Sequence, residues 1–212
     1  MSMADHCCGC GKALDVAALQ ARQRRALWQV LAINAASFAL MVLAAWHSGA
    51  VSLLSGSLDN LGDTLTYALS LAVVGASVAA KARVALLKAG LILAAALAVA
   101  VGIAWRLLDP QVPVFESMGV AAALNFAANL LCLRLLWPYR QGDVNLASAW
   151  ACSLNDVYEG VAVIAASVAV WAFGAGWPDL LVATALLLWF LRSAWRVARM
   201  AWAELPRPLR AG

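Results

Sequence analysis

The chain divides into long apolar runs separated by short polar breaks. The runs lie at about 27–46, 51–76, 86–105, 117–137, 147–172 and 179–203. Each approximates the ~20 residues that an α-helix needs to cross a bilayer core. The breaks are His47-Ser48-Gly49, Lys81-Ala82-Arg83, Asp109-Pro110-Gln111-Val112-Pro113, residues 138–143 and residues 174–178. Connections this short make successive helices antiparallel. The pattern predicts an all-α membrane protein with six transmembrane helices. A six-helix transmembrane domain over 21–205 is expected, preceded by a Cys-rich tail over 1–20 and followed by a short tail over 206–212.

Composition sharpens this picture. The chain is 65% apolar and 12% charged, with a mean hydropathy of +0.83. Soluble domains carry roughly 45–50% apolar and about 25% charged residues, so a water-facing surface is excluded. Disorder is excluded as well, since it requires high charge and low hydrophobicity. The net charge of +4 does not point to nucleic acid. With the N-terminus in the cytoplasm, fourteen of the fifteen Lys and Arg residues fall on the cytoplasmic side and Arg106 alone falls outside. That asymmetry orients membrane helices and puts both termini in the cytoplasm. Trp28, Trp46, Trp105, Trp137, Trp171, Trp177 and Trp202 sit near span ends, where indoles anchor at the interface. The first 20 residues lack the apolar core of a signal peptide.

Acidic residues inside spans need a reason, because each costs roughly 2.5–3.5 kcal/mol on insertion. Span 2 holds Asp59 and Asp63, and span 5 holds Asp156 and Glu159. Asp59 and Asp63 are four residues apart and share a helix face, and Cys152 and Asp156 repeat that spacing. At 1.5 Å per residue, Asp63 lies about 18 Å into span 2 and Asp156 about 14 Å into span 5. Both are near the middle of a core ~30 Å thick. Two antiparallel helices can therefore present four ligands to one point. Ser52, Ser55, Thr66 and Ser70 extend the first stripe, and Asn145, Ser148 and Glu159 the second. Clustered carboxylates and a thiol at that depth require protons or a metal to neutralise them. Zinc accepts carboxylate and thiolate ligands in tetrahedral geometry. Cys152 also reads as a small apolar packing residue, with Asn155 as its substitute in the ligand set.

These residues carry a family resemblance. The stretch Ser52-Leu53-Leu54-Ser55-Gly56-Ser57-Leu58-Asp59-Asn60-Leu61-Gly62-Asp63 resembles the second span of the cation diffusion facilitator family. Residues 152–163 resemble its fifth span, and the likeness continues through Lys88-Ala89-Gly90 and Gly176-Trp177-Pro178-Asp179-Leu180. It is closest to a short bacterial branch of cobalt, zinc and cadmium efflux components. The resemblance implies proton-coupled export of divalent metals by a homodimer in the bacterial inner membrane. It also implies a transport site at Asp59, Asp63, Cys152 and Asp156. Zinc is the expected cargo, with cadmium and cobalt as others, and no prosthetic group is expected. Gly56 stands where the family often has an acidic residue, and Glu159 is an addition suited to a proton relay or a second ligand. The family's cytoplasmic metal-sensing domain is expected to be missing, which would leave dimerisation to the spans.

Outside the spans, His6, Cys7, Cys8 and Cys10 form a second candidate metal site, because clustered cysteines in a reducing cytosol more often bind metal than form disulfides. His47 reads as loop decoration near the metal exit. Asn34 precedes Asp63 by 29 residues and Asn125 precedes Asp156 by 31, a faint inverted repeat of the kind transporters use. The expected class is a secondary transporter and not an enzyme. No GxxxxGK[ST] loop is present to bind ATP. Two other classes compete with it. A membrane metal sensor would use the Cys-rich tail without turnover. An intramembrane aspartyl enzyme would use two aspartates, but Leu61-Gly62-Asp63 only partly imitates its motif.

Overall fold

The structure is a computed structural model that describes residues 21–72, 78–141 and 144–204. Six helices make it up: α1 (Ala21–Ser48), α2 (Val51–Ala72), α3 (Val78–Leu108), α4 (Phe115–Leu136), α5 (Val144–Phe173) and α6 (Trp177–Glu204). One 3-10 turn, Trp137–Tyr139, follows α4. The expected apolar runs fall within these helices, except that 73–76 of the second run lie outside the described residues and Trp137 of the fourth falls in the 3-10 turn. The helices extend further at several ends. The clearest difference is α3, which starts at Val78 and runs through Lys81 and Arg83, where the pattern had predicted a break. Those residues interrupt hydropathy without interrupting helix, because Ala, Lys and Arg are all strong helix formers. α1 likewise takes in Arg22, Arg24 and Arg25.

Two glycines stop helices. Gly49 (φ 71°) ends α1 and Gly174 (φ 59°) ends α5. Their N–H groups return to Ala45 O and Val170 O, each at 2.9 Å, which is the left-handed C-terminal cap that glycine adopts without strain. The α1–α2, α3–α4 and α5–α6 connections meet at one end of the bundle, the hairpin end. There Val114 N–H donates to Ser48 O at 2.9 Å, and the Arg106 guanidinium donates to Gly49 O. Asp179, fully buried in the first turn of α6, accepts Val51 N–H at 2.8 Å and Ser52 N–H at 2.9 Å. It thereby caps the neighbouring helix α2, whose first N–H groups have no partner within α2.

α2 is the central helix, packed against α1, α6, α3 and α5. α4 and α5 share the most extensive contact, where Gly119 lies against Ser167 and Gly160 against Phe126. A Cβ on Gly119 would stand 2.8 Å from Ser167 Oγ. The polarity of the bundle is inverted relative to a soluble protein. Leu43, Trp46, Leu97, Val101, Leu108 and Val168 are exposed, while Asn34, Asn60, Asp63, Asn125, Asn129 and Asp156 are buried. Among the described residues, four helical segments are long and apolar enough to cross a membrane: Arg22–Ser48, Gly90–Leu108, Phe115–Tyr139 and Ala149–Phe173. The chain is an all-helical membrane protein. α2 is less apolar because its polar face turns inward, where lipid does not reach.

Candidate functional site

The site forms where α2 and α5 face each other at mid-helix. On α2, Ser52, Ser55, Asn60, Asp63, Thr66 and Tyr67 are buried and Asp59 is partly buried. On α5, Cys152, Ser153 and Asp156 are buried, with Asn155 and Glu159 partly so and Tyr158 turned outward. The helical period produces this division: residues three and four apart share the inner face while their neighbours face lipid.

Several predicted site residues are brought together. Tyr67 donates its hydroxyl to Asp63 Oδ2 at 3.3 Å. It also lies within electrostatic reach of Cys152 and Asp156. The charges acting on Asp156 come from Asp63 and Asp59, both acidic. Asp63, Asp156 and Cys152 therefore share one neighbourhood around Tyr67. Asp59 turns instead to Glu159, with which it is hydrogen-bonded. Two carboxyl groups share a hydrogen bond only through a proton, since an ionised carboxylate is an acceptor alone. This pair consequently carries at most one negative charge. Among the described residues, no three His, Cys, Asp or Glu side chains converge as a ready metal cluster. His6, Cys7, Cys8 and Cys10 lie outside the described residues. The side chains of Ser70, Asn145 and Ser148 likewise lie outside the described side chains.

Sequence reasoning missed what α4 contributes. Asn125 and Asn129 are buried one turn apart and Cys132 follows on the same face, within electrostatic reach of Asp156 and Asp63. Asn60 Nδ2 donates to Asn125 Oδ1 at 3.1 Å, linking α2 to α4. A crevice between the helices is lined by Asn60, Asn125, Asn129, Asp156 and Glu159, with Met41, Gly56, Gly160 and Val163 on its apolar sides. About 200 Å³ of space lies in it, counting what opens to the surface, and the lining atoms leave no room for a water molecule. Among the described residues, Asp156 Oδ2, Asn60 Oδ1 and both polar atoms of Asn129 have no hydrogen-bond partner. The available signal was the spacing of two asparagines four residues apart in an apolar span.

The arrangement supplies carboxylate, thiol, phenol and amide groups at one depth of a membrane helix bundle. It is suited to holding a cation and exchanging it for protons. No protein-family model matches the chain, and no curated protein matches it.

Proposed function

We propose that the chain is a secondary transporter that exports divalent transition-metal cations, zinc foremost, from the cytoplasm in exchange for protons. The observation that carries this reading is the pairing of buried Asp63 on α2 with buried Asp156 on α5. Acidic groups facing each other in a membrane interior are strongly disfavoured unless a cation or proton joins them. Cys152 and Tyr67 complete the neighbourhood, and the resemblance to the cation diffusion facilitator family points the same way. In this reading all six helices cross the bacterial inner membrane, both termini are cytoplasmic, and two copies assemble through the spans.

Transport follows from ligand protonation. In a cytoplasm-facing state, Asp63, Asp156 and Cys152 lose protons and close on the metal, with Asp59 as the fourth ligand. Asp59 must then leave Glu159, so metal entry releases or relocates the proton that joins them. Rearrangement of α2 against α5 opens the site outward. Protons arriving there displace the metal, because affinity at carboxylate and thiolate requires deprotonation.

Zinc uptake by proteoliposomes with an imposed proton gradient tests the proposal. Asp63→Asn and Asp156→Asn should each lower uptake at least about a hundredfold, equivalent to roughly 2.7 kcal/mol, while the protein still inserts and folds. Gradient-driven uptake that survives in both variants would remove the site. Zinc binding without flux in the unaltered protein would favour a sensor instead.

A further inference from the structure

The amides of the crevice are not used by the transport cycle, and their orphaned atoms call for an occupant. Asn129 is fully buried and has neither an acceptor for Nδ2 nor a donor for Oδ1. Asn60 Oδ1 and Asp156 Oδ2, both in side chains more than nine-tenths buried, are orphaned in the same crevice. Leaving a buried polar group unpaired costs free energy that a structural role for the amide would have removed. Three helices each contribute an unpaired oxygen to one small space.

We propose that Asn60, Asn125, Asn129 and the unpartnered oxygen of Asp156 form an oxygen-only subsite for a desolvated monovalent cation, sodium in particular. Three properties select this ion. The donors are hard amide and carboxylate oxygens, which suit alkali and alkaline-earth ions over soft transition metals. The space excludes water, and magnesium gives up its waters reluctantly and usually keeps several of them. Asp156 supplies one negative charge, which a monovalent ion balances. Amide oxygens then replace the hydration shell, as carbonyl groups do in ion-selective pores. A bare sodium ion is smaller than a water molecule and a potassium ion is not, so the crevice should prefer sodium. Asp156 belongs to both this subsite and the zinc reading, so the two ions compete for it, but sodium binding does not require that zinc be transported.

The test uses the purified full-length protein in detergent with chelator, followed by tryptophan fluorescence during thermal unfolding. Sodium chloride, potassium chloride and choline chloride are compared at constant ionic strength. Sodium should raise the unfolding temperature with the logarithm of its concentration once the dissociation constant is passed, by roughly 3–6 °C at ten times that constant. Potassium should act no differently from choline. Asn129→Leu should abolish the sodium response while leaving the sodium-free unfolding temperature unchanged or higher, because an apolar isostere replaces an unpaired amide. Asn129→Ala withdraws the same oxygen without adding an apolar branch and serves if the leucine variant does not fold. Equal effects of sodium and choline, a sodium response retained in these variants, or an equal response to potassium each overturn the proposal. Zinc added to chelator-free samples separates the two readings. A sodium response without a zinc response upholds the subsite and counts against the transport site, and a zinc response alone does the reverse.

Discussion

The hairpin end and the middle of the bundle treat buried charge in opposite ways. At the hairpin end Asp179 has no exposure, yet both of its oxygens accept backbone N–H groups of α2. Arg106 at the same end is tied to Gly49 and to Gln111. In the middle, Asp156 is almost as deeply buried but keeps one oxygen unpaired, and acidic groups surround it. Asn129 keeps both polar atoms unpaired. One acid serves the fold; the other takes a ligand in the reading proposed above. Burial alone does not separate these roles; satisfaction of hydrogen bonds does.

The strongest way to break this contrast is Asp179→Ala. It strands two buried N–H groups at the start of α2 and removes charge-assisted hydrogen bonds that bind α2 to α6. Such bonds are worth about 1.5–3 kcal/mol each, and N-terminal caps typically about 1 kcal/mol. A loss of roughly 2–4 kcal/mol is expected, read as a lower unfolding temperature in detergent. Asp179→Asn should fall between, since one amide oxygen can still accept. An unfolding temperature unchanged by Asp179→Ala would mean that the cap does not secure the hairpin end.

The two regions were also unequally legible in the sequence. Asp59, Asp63, Asp156 and Glu159 stood out because ionised side chains are conspicuous in an apolar run, and four-residue spacing fixed their common face. The helices were legible for the same reason, from periodicity and hydropathy. Lys81 and Arg83 misled, since charge was read as a break where helix propensity continued. The link between Asp59 and Glu159 was not legible, because it depends on how α2 and α5 are rotated about their axes. Asn129 was overlooked because a single amide in an apolar span looks like a packing residue until its partners are counted. Asp179 was seen only as part of an opening motif. Its role lies 128 residues away in sequence, at Val51, and no local pattern carries that distance.

Cys152→Ser sharpens the contrast within the middle. If sulfur is a ligand, exchanging it for oxygen should lower the ratio of cadmium to manganese transport about tenfold or more, a change of roughly 1.4 kcal/mol. Metal-competition assays in proteoliposomes read the ratio directly. Serine differs little from cysteine in size, so the unfolding temperature should move little even though Cys152 is buried. An unchanged ratio would take the thiol out of the ligand set and favour Asn155 or Glu159 in its place.

The smallest expected effect comes from comparing two glycines that end helices at the hairpin end. Gly49 and Gly174 both have positive φ, so alanine at either incurs the strain of a left-handed conformation, roughly 1 kcal/mol. Their surroundings differ. At Gly174 no atom lies within 4 Å of where a Cβ would sit, so backbone strain is the whole cost. At Gly49 the new Cβ would stand 2.8 Å from Arg106 Nη2, and the guanidinium would have to leave the carbonyl it binds. Gly174→Ala should therefore cost about 1 kcal/mol, and Gly49→Ala should exceed it by the worth of the Arg106 contact, again about 1 kcal/mol. Replacing Arg106 by Met removes that contact, and in this background the two glycine variants should become equal. A difference that persists would mean that Gly49 is held by something other than Arg106, and that the α1–α2 turn does not depend on α3.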